Sequence, residues 1–272
     1  MKIARFLSNG AEFLGTEPHD GTAEVLDGTL FQELVATGRR VPIDTLLAPL
    51  IPPNLFGVGM NYREHARQMN AEIPSVPPLF MKPTTTIANP GASIVVPEQC
   101  LAQPEVDYEC ELAVVIGRTA RDVSVDQALD HVFGYTAANE VTARQLAKGC
   151  RQRGKSFDGF CPLGPYLVTA DEIADPQALA LKTILNDHVM QQGQTSDMIF
   201  SVAEIISYLS QGTTLLPGTV IVTGTPPGAG VSRNPPVFLQ PGDSVHIEIE
   251  KIGRLSNRVT AATVAAIVPA AA

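Results

Sequence analysis

The chain has 272 residues, 44% of them hydrophobic, enough for one large domain, or a large and a small one, around a sizeable core. A formal net charge of −9 argues against a nucleic-acid partner, because phosphate binding needs clustered Lys and Arg. The four cysteines, Cys100, Cys110, Cys150 and Cys161, include no CxxC pair, which argues against a zinc site or a disulfide frame and fits reduced thiols in a cytoplasmic protein.

The first ten residues lack the long apolar stretch of a secretory leader. Residues 1–52 read as a small N-terminal unit, with strands at 3–7 and 11–14, a helix at 29–37 and a proline-punctuated connector over 41–53. From residue 53 to 272 the pattern changes to short β-type runs at 55–59, 94–96, 109–116, 181–185, 220–223 and 245–249, separated by turns. Those runs, with 22 Gly and 22 Pro in the chain, predict a β-rich α+β fold, a mixed β-sandwich roll or barrel. An alternating α/β fold is excluded because strands and helices do not alternate. Short helices are predicted at 62–69, 125–132 and 202–210; in the last, Val202, Ile205, Ile206 and Leu209 fall at helical spacing and Glu204 lies near the start. The apolar tail, 259–272, is too short to span a membrane and reads as a last strand with a frayed end.

Residues 108–117 carry the strongest chemical signal. They read as a strand, and side chains two apart on a strand share a face. Glu109 and Glu111 therefore stand side by side, which is unfavourable unless a cation lies between them. Hard oxygen donors suit Mg²⁺, Mn²⁺ or Ca²⁺; the competing reading is an exposed edge strand with two solvated glutamates. Glu140 follows a second strand-like run, with Arg144 four residues on, either as an ordinary helical ion pair or as a third oxygen ligand with its orienting partner. Lys155 sits in a Gly-, Pro- and aromatic-rich segment, 154–165, that suits a rigid loop at a site or a plain turn. His65 falls in a polar, exposed-looking helix, and the position three residues on is Gln68 rather than an acid. Residues 223–231 end a strand in glycines that permit close backbone approach, with Thr225 offering a hydroxyl; neither a phosphate loop nor a dinucleotide fingerprint is present.

These segments together resemble the fumarylacetoacetate hydrolase family. The matching pieces run in order: 59–62 with His65, 78–83 with Lys82, 107–113, 134–144, 155–158, 194–200, 223–226 and 241–243. The resemblance implies a homodimeric β-roll and a divalent metal, Mg²⁺ or alternatively Mn²⁺ or Ca²⁺, held by Glu109, Glu111 and Glu140. It implies His65 and Lys155 as catalytic residues, and Lys82, Arg144 and Thr225 as contacts to a 2-oxo or 2,4-dioxo acid. The chain departs from the family pattern at Glu140, normally Asp; at Gln68, where hydrolytic members carry a glutamate; and between Arg144 and Lys155, where the stretch is shorter and Gln145 replaces an Asp. The expected reaction is hydrolytic cleavage of a carbon–carbon bond in an acylpyruvate-like acid, with no nucleic-acid or membrane partner. Decarboxylation or enol–keto isomerisation is the alternative that Gln68 favours, and a catalytically silent ligand-binding protein is the third reading.

Overall fold

The computed structural model describes residues 1–103 and 105–262. Two sheets dominate it. The larger has twelve strands, and its central path runs Lys2–Ser8, Cys161–Thr169, Val132–Asn139, Cys110–Ile116, Val220–Val222, Leu55–Val58 and Leu79–Lys82. The second has five strands, in the order His188–Gln194, Ala180–Leu185, Ser244–Ile249, Gly253–Ala261 and Ser93–Val96. Four α-helices lie among the described residues, Arg63–Gln68, Arg144–Gly149, Arg151–Lys155 and Val202–Ser210. The expected β-rich roll with few short helices and a small N-terminal unit is the observed architecture.

Cys110–Ile116 lies in the middle of the large sheet, and all seven of its residues are buried. Leu112, Val114 and Ile116 enter the main core, while Ala113 and Val115 enter a second cluster on the opposite face. Burial on both faces explains an unbroken apolar run where an edge strand would alternate. The reading of an exposed edge is thereby overturned.

Helix Val202–Ser210 covers the main core with Val202, Ile205, Ile206 and Leu209. Its start is fixed by a capping box. The Ser201 hydroxyl accepts from Glu204 N at 3.3 Å, and the Glu204 carboxylate accepts from Ser201 N at 2.7 Å. Ser201→Ala is expected to cost about 1 kcal/mol of stability, read as a shifted denaturant midpoint with an unchanged slope.

Several elements differ from expectation. The predicted helix at 29–37 is instead a turn followed by the strand Leu34–Pro42, paired to Thr22–Gly28. Leu34, Val35, Thr37 and Val41 favour extended backbone, and this edge strand is blunted by Arg39, Arg40 and its terminal Pro42. The connector holds one more short strand, Thr45–Leu47. The helix expected at 125–132 shrinks to a single 3₁₀ turn, Ala128–His131. Val125 and Leu129 are 48% and 40% exposed, so no apolar face anchors a longer helix, and Val132 already begins a strand. The 154–165 segment is no continuous loop: helix Arg151–Lys155 ends in it and strand Cys161–Thr169 begins. The predicted last strand is present as Gly253–Ala261, and residues 263–272 of that expectation lie outside the described residues. No helix among the described residues is long and apolar enough to cross a membrane.

Candidate metal centre and active site

Strand pairing assembles the acidic centre. Glu109 and Glu111 flank Cys110 and share the face that Ala113 and Val115 continue. On the neighbouring strand Asn139 pairs with Cys110, so the next residue, Glu140, falls beside Glu109, and its N–H donates to Glu109 O at 2.8 Å. The three carboxylates each place one oxygen within 4.8 Å of the others, and all three residues are buried.

A fourth acid, Asp107, lies two residues before Glu109. It is fully buried and accepts from the backbone N–H groups of Gly230 at 2.7 Å and Val231 at 2.9 Å. Arg144 bridges it to the centre, donating from Nε to Asp107 at 2.8 Å and from Nη2 to Glu109 at 2.8 Å. Arg144 thus pairs with Asp107 and Glu109, not with Glu140 as the helical ion-pair and orienting-partner readings had it. Lys155 donates to Glu109 Oε2 at 3.0 Å and to Thr142 Oγ1 at 2.8 Å, and also contacts Glu140. Lys82 reaches Glu140 from behind and donates to Phe160 O at 2.9 Å. Its side chain is wholly buried and is not among the residues that line the cavity.

Of the four carboxylates, Asp107, Glu109 and Glu140 meet the three cations, and Glu111 touches none of them among the described residues. Its one hydrogen bond comes from Gly224 N at 2.7 Å. Gly224 has φ +97°, and a Cβ there would lie 2.7 Å from the Asn61 Cβ, so this approach requires glycine. Burial, then Glu109 and Glu140, push the Glu111 carboxyl well above the ordinary carboxylate range. Burial works the same way on Glu109, but Arg144 and Lys155 outweigh it and hold that group well below the range. Burial also disfavours the Lys155 ammonium, yet Glu109 and Glu140 overcome it and keep the lysine charged.

The residues fit a hard divalent cation. Oxygens on opposite sides of Mg²⁺ lie about 4 Å apart, so small side-chain rotations bring the three carboxylates into range. The cation would also discharge the uncompensated Glu111. Protons and cation compete for that carboxylate, and its pKa is raised. Cation affinity is therefore expected to climb as pH rises from the ordinary carboxylate range upward, which Mn²⁺ calorimetry at about pH 5 and about pH 8 checks.

A cavity of about 200 Å³ opens onto this centre, lined by His65, Phe80, Glu109, Glu111, Arg144 and Lys155 among others. A larger cavity of about 720 Å³ lies over the five-stranded sheet and contains none of these groups. His65 is only 7% exposed, a correction to the exposed helix expected from its polar neighbours. Its Nδ1 has no hydrogen-bond partner. Burial lowers its pKa below the ordinary histidine value, so the ring is neutral at pH 7. Thr225 also lines the cavity; its hydroxyl donates to Cys110 O at 3.0 Å and accepts from Gln191 Nε2 at 2.7 Å.

The profile described as fumarylacetoacetate (FAA) hydrolase C-terminal matches residues 54–260. The chain belongs to the fumarylacetoacetate hydrolase family. A second profile, Rv2993c-like N-terminal, matches residues 1–49. The chain is 46% identical over 253 residues to the mitochondrial oxaloacetate tautomerase FAHD2A of Bos taurus, covering 91% of this chain and 78% of that protein. The crystal structure of 5-carboxymethyl-2-hydroxymuconate delta-isomerase from Mycobacterium smegmatis superposes with a TM-score of 0.84 at 34% identity, over 96% of this chain and all of that one. Maleylpyruvate hydrolase from Sphingobium sp. SYK-6, solved with manganese(II) and pyruvate, superposes with a TM-score of 0.79 at 26% identity, over 97% of this chain and all of that one. The fumarylacetoacetate hydrolase relatives are thus enzymes acting on small acids, by isomerisation in some and hydrolysis in others, and one holds a divalent metal.

Two departures from the family pattern have structural counterparts. Gln68 makes no hydrogen bond to His65 among the described residues. Its Oε1 accepts from Gly228 N at 2.8 Å, tying the helix to the 228–232 loop. Glu140 is long enough to meet both Lys82 and Lys155. Asp107 and Thr142 were not singled out from the sequence. Asp107 continues the i, i+2 series of Glu109 and Glu111, a signal that was available; Thr142, bonded to Lys155, gives none.

Proposed function

We propose that the protein is a divalent-cation-dependent enzyme that interconverts the enol and keto forms of a small 2-oxo acid. The supporting observation is the setting of His65. It is buried, neutral and open to the cavity; among the described residues no carboxylate hydrogen-bonds to its ring, burial outweighs the pull of Glu109 and Asp107 on its basicity, and Gln68 is engaged elsewhere. Hydrolysis needs an activated water, whereas tautomerisation only takes one proton from the enol oxygen and adds one to the far carbon of the enol double bond. A cation on the three carboxylates, Mg²⁺ or Mn²⁺ with Ca²⁺ also suited, supplies Lewis-acid stabilisation of the charge developing on the 2-oxo oxygen. Lys155, held charged by Glu109 and Glu140, stabilises the same enolate character, and His65 carries the proton. Thr225 is pinned by Gln191 with its hydroxyl at the cavity wall, placed to contact the acid. Arg144 acts through Asp107 and Glu109 as a positioning residue.

The similarity to a named tautomerase and a named isomerase supports this reading. Carbon–carbon hydrolysis of an acylpyruvate is the second reading, supported by the likeness to maleylpyruvate hydrolase and by the presence of His65 in the cavity. Purified protein with Mn²⁺ is assayed on oxaloacetate, following enol absorbance and pyruvate release, and on acylpyruvates, following acid release. We expect enol relaxation at least about tenfold faster than with Mn²⁺ alone, without pyruvate, and lost in Glu109→Ala. Stoichiometric acid release from an acylpyruvate with no effect on the enol overturns the tautomerase in favour of the hydrolase. Light scattering at twice the chain mass checks the homodimer that the resemblance implies.

A further inference from the structure

Three cations line the cavity, Arg144, Arg151 and Lys155. Arg144 is committed to Asp107 and Glu109, and Lys155 to Glu109, Glu140 and Thr142. Arg151 has no ion pair and no side-chain hydrogen bond among the described residues. It stands at the start of the helix Arg151–Lys155, one turn before Lys155, so both side chains serve the same cavity. Its guanidinium rests in a notch made by a missing side chain: a Cβ on Gly59 would lie 2.6 Å from Arg151 Nη1 and 3.3 Å from Pro78 O.

We propose that Arg151 is the seat of a second carboxylate, so that the preferred substrate is a short dicarboxylic 2-oxo acid rather than a monocarboxylic one. This rests on the reading of the site as a 2-oxo acid site. An acid whose first carboxylate and 2-oxo oxygen face the three glutamates turns its far end toward the rest of the cavity. There the only uncommitted lining cation is this guanidinium, whose planar fork matches a carboxylate with two parallel hydrogen bonds. At about 200 Å³ the cavity is smaller than the ~300–1,000 Å³ of sites for drug-sized ligands, which favours a short chain between the two carboxylates. Met60, Met69 and Val231 also line it and offer that end no competing charge.

Two unreactive probes share one head group. Oxamate presents a carboxylate and a neighbouring carbonyl, and N-oxalylglycine adds a second carboxylate. Their binding to the Mn²⁺-loaded protein is measured by calorimetry. The expected result is a preference for N-oxalylglycine of roughly tenfold to a hundredfold, the range for hydrogen bonds to charged groups. Arg151→Gln removes the preference and shifts oxamate affinity less than threefold. Arg151→Lys, which keeps the charge but not the fork, retains part of it. Gly59→Ala, which crowds the guanidinium, reduces it. Oxamate binding with no preference in the native protein, or a preference that survives Arg151→Gln, overturns the seat and leaves the 2-oxo acid site standing. Failure of oxamate itself to bind overturns both.

Discussion

Glu111→Gln is expected to remove divalent-cation binding while making the metal-free protein more stable. Glu111 is the acid that no cation meets, and burial holds its carboxyl well above the ordinary range. A group whose folded pKa is raised contributes stability below its unfolded value, about 4.3, and that contribution is lost as pH climbs through the folded value. At neutral pH the metal-free protein therefore bears the cost of Glu111. Glutamine keeps the oxygen that accepts from Gly224 and turns an amide N–H toward Glu109 and Glu140. Replacing an uncompensated buried charge in this way is worth about 1–4 kcal/mol, or roughly 2–10 °C in melting temperature. The gain over wild type widens as pH rises. Cation affinity moves the other way. Loss of groups that merely support ligands costs 10–100-fold, so loss of a ligand costs about 100-fold or more. Melting curves with and without Mn²⁺ at two pH values read both effects. A variant less stable than wild type without metal, or one that binds Mn²⁺ undiminished, refutes this view of Glu111.

The parts of the fold that were legible are those where local pattern and final environment agree. In Cys110–Ile116 the apolar run, the β-branched residues and two-sided burial all demand a strand. In Val202–Ser210 the helical spacing and the capping box coincide. The helix expected at 29–37 failed because strand pairing across Thr22–Gly28 decided that segment, and no local signal outweighs a partner strand. The grouping of Glu109 and Glu111 followed from strand periodicity, and Glu140 joined them through the register that sets Asn139 opposite Cys110. Ion pairing was not legible. Spacing suggested Arg144 with Glu140, whereas Arg144 reaches Asp107, 37 residues earlier in the chain, and Lys82 arrives from a distant strand to meet Glu140. The burial of His65 was hidden too, because charged neighbours on a one-turn helix say nothing about what packs against its inner face.

Lys155→Met is expected to split three observables that a purely structural lysine would move together. Removing the ammonium takes one cation from Glu109 and one from Glu140, while Arg144 and Lys82 remain in contact with them. Breaking a buried pair costs 3–5 kcal/mol, and the surviving cations place this variant near the low end, about 3 kcal/mol in the metal-free state. Divalent-cation binding should tighten, because Lys155 holds oxygens of Glu109 and Glu140 that a cation needs and repels it from the same spot. Mn²⁺ should therefore restore more stability to the variant than it adds to the wild type. Turnover should nevertheless fall by about 10²–10³-fold even when metal is saturating, the usual cost of deleting one group that stabilises a developing oxyanion. Melting temperature, calorimetric affinity and kcat on oxaloacetate separate the three effects. A variant that regains full activity once its cation site is filled would reduce Lys155 to a counter-ion for the glutamates. A rise in affinity joined to a loss of kcat identifies it as the group that meets the enolate.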